Sequence, residues 1–184
     1  EYKISSIPHL GGEHMSHDTW IHKLSRVIIV RPILKTKITP NHLTTCRLIS
    51  GLLASCFIAI GSNLALDLGA GLYVVSIILD RADGDLARQT NQQSDQGHRY
   101  DLIADGLCNT TIFIALGFGL RDSSYGYLAL IMGVVAGLAV AGILAYALQL
   151  EKKGGPRAGE IGGFYGFDTD DAILLVTAAI WLGW

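Results

Sequence analysis

Residues 80–105 read DRADGDLARQTNQQSDQGHRYDLIAD, and the rest of the chain is read outward from them. Asp80 and Asp83 lie three apart and Asp101 and Asp105 four apart, so on helices each pair projects from one face. Between the pairs, Gln89 to Gln96 are polar without an apolar run, the pattern of a turn joining two helices. Antiparallel helices joined there bring four carboxylates together. Carboxylates that close do not all stay ionised without cations, and the natural ligands are two hard, oxygen-preferring metals such as Mg2+ or Mn2+.

The surroundings of this stretch are those of a membrane protein. The 184 residues are 50% hydrophobic, with 22 Gly and only 16% charged residues, too apolar for an ordinary soluble domain. The pattern predicts one membrane domain, residues 39–184, after an N-terminal segment, residues 1–38. Span one is expected from Leu43 to Gly61, close to the roughly 20 apolar residues a crossing needs. Thr39 is placed to cap it, with Pro40 in its first turn. Span two, Leu66 to Gln89, carries the first acidic pair in its second half. Span three, Gly97 to Leu120, carries the second pair in its first turns, and span four runs from Tyr125 to Leu150. A Gly-rich, basic loop from Glu151 to Phe167 leads to a fifth apolar run, Ala172 to Trp184, short for a full crossing. The chain opens on Glu1 rather than Met, and a trimmed protein is expected.

Before span one, Trp20, Leu24, Val27 and Ile28 recur at helical spacing against His17, His22, Lys23 and Arg26. This predicts an amphipathic helix from Ser16 to Arg31 lying in the membrane interface, ended or bent by Pro32. The plain alternative is a surface helix packed on a soluble domain. Cys46, Cys56 and Cys108 are odd in number and fall in predicted spans, so they read as small buried residues rather than a disulfide or metal framework. The six histidines lack zinc spacing, and a net charge of −2 with no basic, aromatic-interleaved surface argues against a nucleic-acid partner.

Charge placement gives an orientation. Lys3, Lys23, Arg26, Arg31, Lys35 and Lys37 precede span one, Arg88 and Arg99 flank the central turn, and Lys152, Lys153 and Arg157 follow span four. All fall on one side, against Arg121 alone on the other, which predicts a cytoplasmic basic side. Asp80 lies about 14 residues into span two, roughly 20 Å by helix rise, and Asp101 and Asp105 lie one to two turns into span three. Both pairs therefore reach a similar depth beneath the cytoplasmic surface, where charge is costly and marks function. The competing explanation is mutual neutralisation of Asp80, Arg81, Asp83 and Arg88, which leaves the second pair unexplained.

Written out, the stretch is D-x2-D-G-x2-A-R-x8-G-x3-D-x3-D, and at every fixed position it resembles the signature of the CDP-alcohol phosphotransferases. The resemblance implies an all-α integral membrane protein: a bundle of five to six transmembrane helices with an N-terminal amphipathic interfacial helix, a sixth span beyond Trp184, and a homodimer. It implies two divalent cations, Mg2+ or Mn2+, held by Asp80, Asp83, Asp101 and Asp105, with Asp80 and Asp101 bridging and Asp105 also the candidate proton acceptor. It places Asn41, Thr44, Gly84, Ala87, Arg88, Ser94 and Gly97 around the CDP-alcohol lipid donor. The reaction it implies moves a substituted phosphate to an acceptor alcohol with release of CMP.

For the acceptor, Arg99, Lys152, Lys153 and Arg157 offer a basic pocket for a phosphate-bearing alcohol, although attraction to lipid headgroups accounts for them equally simply. The phosphatidylglycerophosphate branch reads DPLADK around its last two acids. Here Asp101-Leu102-Ile103-Ala104-Asp105-Gly106 lacks that Pro and Lys, which counts against that branch. The acidic run Phe167-Asp168-Thr169-Asp170-Asp171 is placed to cap the fifth apolar run, or to form a gating loop. Two other readings compete: a UbiA-like prenyltransferase, which leaves Gly84-x2-Ala87-Arg88 without a purpose, and a cation transporter, which calls for acids along a path through the membrane.

Overall fold

The spans begin and end where particular residues remove or fix a backbone hydrogen bond. The computed structural model describes residues 24–155 and 174–182, and every regular element among the described residues is helical. A π-helical turn, Arg26–Val30, runs directly into a single α-helical turn, α1 (Arg31–Ile33). Pro32 has no N–H, and its ring crowds the carbonyl four residues back. The turn before it is widened, with the Arg31 N–H donating to Arg26 O, and the helix ends at Ile33, one residue beyond Pro32. Of the predicted interfacial helix, Leu24, Val27 and Ile28 are exposed while Val30 is buried; residues 16–23 lie outside the described residues.

Four long helices follow: α2 (Pro40–Ile60), α3 (Asn63–Gln89), α4 (Asp95–Gly119) and α5 (Tyr127–Gly154). All four are long and apolar enough to cross a membrane. Thr39 is the N-cap of α2 with Pro40 at its first position, and His42 Nδ1 accepts the Thr39 N–H at 3.1 Å. Gly61, at φ 81°, closes α2, and Ser62 caps α3, its Oγ accepting from Ala65 N at 3.4 Å. Two residues thus make the whole connection. Thr90 to Ser94 link α3 to α4, with Asn91 in the left-handed region and Ser94 Oγ accepting from Gly97 N at 3.0 Å. At the opposite end of the bundle, Arg121 donates to the terminal carbonyls of Ala59 and Phe118. The fifth apolar run is described as α6 (Leu174–Trp181), packed on α3.

α2 is the centre of the bundle. It packs along both α3 and α4, whereas α3 and α4 approach each other far less, and α5 packs on α4. The result is a groove between α3 and α4 with α2 as its floor. The buried side of α2 is the stripe Leu43, Thr44, Arg47, Gly51, Ala54, Ser55 and Ile58, at three- and four-residue spacing. Cys46 and Cys56 fall off that stripe and are exposed, so only Cys108 is the buried cysteine expected of all three; all are free thiols. One core joins Ala54 and Ile58 to Tyr73, Ile112 and Ala115. A second joins Val30 to Leu43, Ala82 and Leu86, fastening the N-terminal turn beside the acidic stretch.

Small residues set the spacing of α4 and α5. A Cβ on Gly133 would lie 2.7 Å from Gly117 Cα, closer than real side chains come. Gly133→Val is expected to force these helices apart at a cost of about 1–3 kcal/mol, read as a lower unfolding temperature in detergent. An unchanged unfolding temperature would show that this contact does not hold α5.

Candidate functional site

The antiparallel run of the bundle brings the start of α2, the end of α3, the start of α4 and the end of α5 to one end. The groove between α3 and α4 is lined there by the predicted acids. Asp80 and Asp83 descend from α3, Asp101 and Asp105 from α4. Asp80, Asp83 and Asp101 each offer an oxygen within 4.8 Å of the others. Such a set, all carboxylate oxygen from two facing helices, fits a hard divalent cation.

The groove floor contributes a residue the sequence reading passed over. Arg47, on α2, has a side chain only 4% exposed, and its guanidinium points into the acids. Nη1 lies 2.8 Å from Asp80 Oδ1 and 2.9 Å from Asp101 Oδ1, and Nη2 lies 2.5 Å from Asp105 Oδ1. Gly51, one turn on, permits this approach: a Cβ there would meet Cys108 Sγ of α4 at 2.5 Å. Ser76 Oγ donates to the Arg47 carbonyl at 3.0 Å, fixing the turn from the α3 side. Arg47 and, at 3.9 Å from Asp80, Arg81 set two guanidinium groups against four carboxylates, so the cluster keeps an excess of acids that further cations would balance.

Two of the acids, Asp83 and Asp105, have a further support. Thr44 Oγ1 donates to Asp83 Oδ2 at 2.7 Å within the buried interior. Asn109 Nδ2 donates to Asp105 Oδ1 at 2.8 Å, and Tyr73 OH donates to Asn109 Oδ1 at 2.6 Å, so Asp105 ends a three-residue chain that starts on α3. Arg47, Tyr73, Ser76, Asp80, Asp105 and Asn109 line a cavity of about 10 Å³ beneath the cluster, together with Ile77 and Cys108. That is close to the smallest space that holds one water.

The remaining predicted residues divide by position. Arg88 does not pair with Asp83; its Nη2 donates to Asp85 Oδ1 at 2.7 Å, and its guanidinium folds over Gly84. Asp85 is also 3.4 Å from Arg26 Nε, so the N-terminal turn and Arg88 share one buried acid. Of the mutual neutralisation weighed above, Arg88 takes no part with Asp80 or Asp83, while Arg81 Nη1 lies 3.9 Å from Asp80. Ser94 and Gly97 sit at the mouth of the groove with Asn41, whose Oδ1 would be 3.4 Å from a Cβ on Gly97. Ala87 is half-buried on the last turns of α3. Arg99, Lys152 and Lys153 are exposed at the same end, where His98 Nε2 and Glu151 Oε1, 2.6 Å apart, tie α4 to α5. Arg157 and Asp168 to Asp171 lie outside the described residues.

Arg47 carried a signal: it is the sole charge in predicted span one, and an intramembrane charge marks function. Asn109 stands four residues after Asp105, on the same helix face. Asp85 and the His98–Glu151 pair carried none, because their partners are set by tertiary packing.

Thr44→Val is expected to leave the buried Asp83 oxygen without its donor and to destabilise the metal-stripped protein by about 1–3 kcal/mol. Thermal unfolding in detergent with chelator checks this. An unfolding temperature equal to that of the parent would remove Thr44 as the support of Asp83.

The profile of the family described as CDP-alcohol phosphatidyltransferase matches residues 37–183. The chain is 27% identical over 111 residues to the "Bifunctional IPC transferase and DIPP synthase" of Thermococcus kodakarensis. That similarity covers 60% of this chain and 25% of the relative, so the chain corresponds to about a quarter of that protein's length.

Proposed function

The chain belongs to the CDP-alcohol phosphatidyltransferase family, and from that premise we propose that it transfers a phosphatidyl group from a CDP-alcohol lipid such as CDP-diacylglycerol to an acceptor alcohol, releasing CMP. Transfer of a phosphoalcohol from a CDP-alcohol is the reaction of the family; the diacyl lipid donor and the residue roles are our reading. The observation that carries it is the convergence of Asp80, Asp83 and Asp101 within 4.8 Å, beside Asp105, in a groove at one end of the bundle. Acids confined to one end do not trace a path through the membrane, which counts against a transporter. Family membership likewise counts against a prenyltransferase.

In this reading Asp80, Asp83 and Asp101 would hold one divalent cation, Mg2+ or Mn2+, and Asp105, beside Asp80 and Asp101, would help to hold a second. When bound, the cations screen the donor diphosphate and stabilise charge on the departing CMP. Arg88, lying over Gly84, takes a donor phosphate; Gly84 and Ala87 let the CDP group approach the α3 backbone. Asn41, Ser94 and Gly97 close the mouth of the groove around it, and Thr44 serves the donor by fixing Asp83. The acceptor oxygen attacks the phosphatidyl phosphorus as the bond to the CMP oxygen breaks. The proton of the acceptor hydroxyl passes to Asp105. Both hydrogen bonds described for Asp105 fall on Oδ1, which leaves Oδ2 to receive it. Arg99, Lys152, Lys153 and Arg157 attract an acceptor that carries phosphate. The site faces the cytoplasm, by the excess of Lys and Arg at its end, and the enzyme works as a homodimer.

The test is CMP release by purified protein from CDP-diacylglycerol, with Mg2+ or Mn2+, across a panel of acceptor alcohols. CMP is expected only with an acceptor and a divalent cation, and chelator is expected to abolish it. Asp105→Asn is expected to slow release by about 10²–10⁴-fold, the range of a positioned base. Full CMP release by Asp80→Asn, or release undiminished by chelator, would overturn the assignment.

A further inference from the structure

The four acids of the groove are not equivalent. Asp80, Asp83 and Asp101 gather within 4.8 Å, whereas Asp105 lies outside that group. Asp105 Oδ1 is instead taken by Arg47 Nη2 at 2.5 Å and Asn109 Nδ2 at 2.8 Å. The same guanidinium holds Asp80 and Asp101 through Nη1, at 2.8 and 2.9 Å. Arg47 therefore spans the three acids that surround the second cation in the reading above. It is fixed there from the floor of the groove, on a buried turn whose carbonyl accepts from Ser76. A guanidinium and a divalent cation repel each other across the same oxygens, and a buried guanidinium does not leave without another anion to meet.

Resting on that reading of the site, we propose that Arg47 is the resident counter-cation of the Asp80, Asp101 and Asp105 half of the groove, and that it makes cation loading ordered and donor-dependent. The first divalent cation would enter at Asp83, which Arg47 does not hold, and at the oxygens of Asp80 and Asp101 that face away from Arg47, with the guanidinium still in place. The second enters at Asp105 once the guanidinium passes from that carboxylate to the phosphate oxygens of the bound donor. A phosphate is the one anion that the reaction brings to this place, and the planar fork of Arg suits it as well as it suits a carboxylate. Arg47 thus sets the state of Asp105 before the donor arrives and binds the donor afterwards. By reciprocity, donor and second cation then strengthen each other's binding.

The experiment counts bound Mn2+ by electron paramagnetic resonance on purified, chelator-stripped protein in detergent, with and without CDP as the soluble probe. The parent protein is expected to bind one Mn2+ alone and two with CDP, the second tightening by about 5–150-fold, the usual range of coupling between sites. Arg47→Gln is expected to bind two Mn2+ without CDP, and to need Mn2+ to recover an unfolding temperature lowered by chelator. Arg47→Lys, which keeps the charge, is expected to restore dependence on CDP. Asp105→Asn, which leaves Arg47 its other two acids, is expected to bind one Mn2+ in either condition, and it serves if Arg47→Gln does not fold.

Two Mn2+ of equal affinity in the parent without CDP would overturn the proposal, as would unaltered dependence on CDP in Arg47→Gln. If the same preparation releases CMP from a CDP-alcohol, either result sinks the ordered loading alone. No Mn2+ bound and no CMP released would sink the proposed function with it.

Discussion

A buried positive charge and four carboxylates must coexist within an apolar bundle, and the architecture around the groove follows from that requirement. Isolated, each of these groups is expensive at membrane depth. Together, Arg47 offsets part of the negative charge of Asp80, Asp101 and Asp105 at 2.8, 2.9 and 2.5 Å. The arrangement demands that α2 lie between α3 and α4 and close to both. Gly51 supplies the closeness on the α4 side, and the two-residue link Gly61–Ser62 supplies it on the α3 side. The separation of α3 from α4 has the same origin, since helices held on either side of a third leave a groove where the acids meet.

The polar groups behind the acids turn that groove from a sink of charge into an ordered site. Thr44 holds Asp83, while Tyr73 holds Asn109, which holds Asp105. Carboxylate oxygens supported in this way are held in a fixed direction. The basic residues divide the work by position. Arg47 and Arg81 are buried among the acids, Arg88 and Arg26 meet at Asp85, and Arg99, Lys152 and Lys153 remain exposed at the mouth.

Much of this was legible in the sequence because it is local. Long apolar runs give spans, and the four long helices differ from their predicted limits by only a few residues at either end. The spacing of Asp80, Asp83, Asp101 and Asp105 reported a shared face, and the polar stretch between the pairs reported the turn. What escaped depends on the rotation of one helix against another. Nothing local distinguishes the exposed Cys46 and Cys56 from the buried Cys108. Nor does anything local say that Arg88 turns to Asp85 while Arg47, more than thirty residues upstream of Asp80, turns to the acids. The π-helical turn before Pro32 escaped for another reason. A widened turn absorbs the proline, and its cost is met by packing Val30 against Leu43, Ala82 and Leu86.

The shortness of the Gly61–Ser62 link has a consequence for how the chain enters its membrane. Arg47 and Asp80 stand on neighbouring helices of one hairpin, and an unpaired charge costs an inserting helix up to about 2.5–3.5 kcal/mol, the value at its centre. Because two residues suffice to turn the chain, α2 and α3 are able to leave the insertion machinery as a unit, with the guanidinium already facing a carboxylate. The bilayer then receives an ion pair in place of two separate ions, and α4 brings Asp101 and Asp105 to the same guanidinium afterwards.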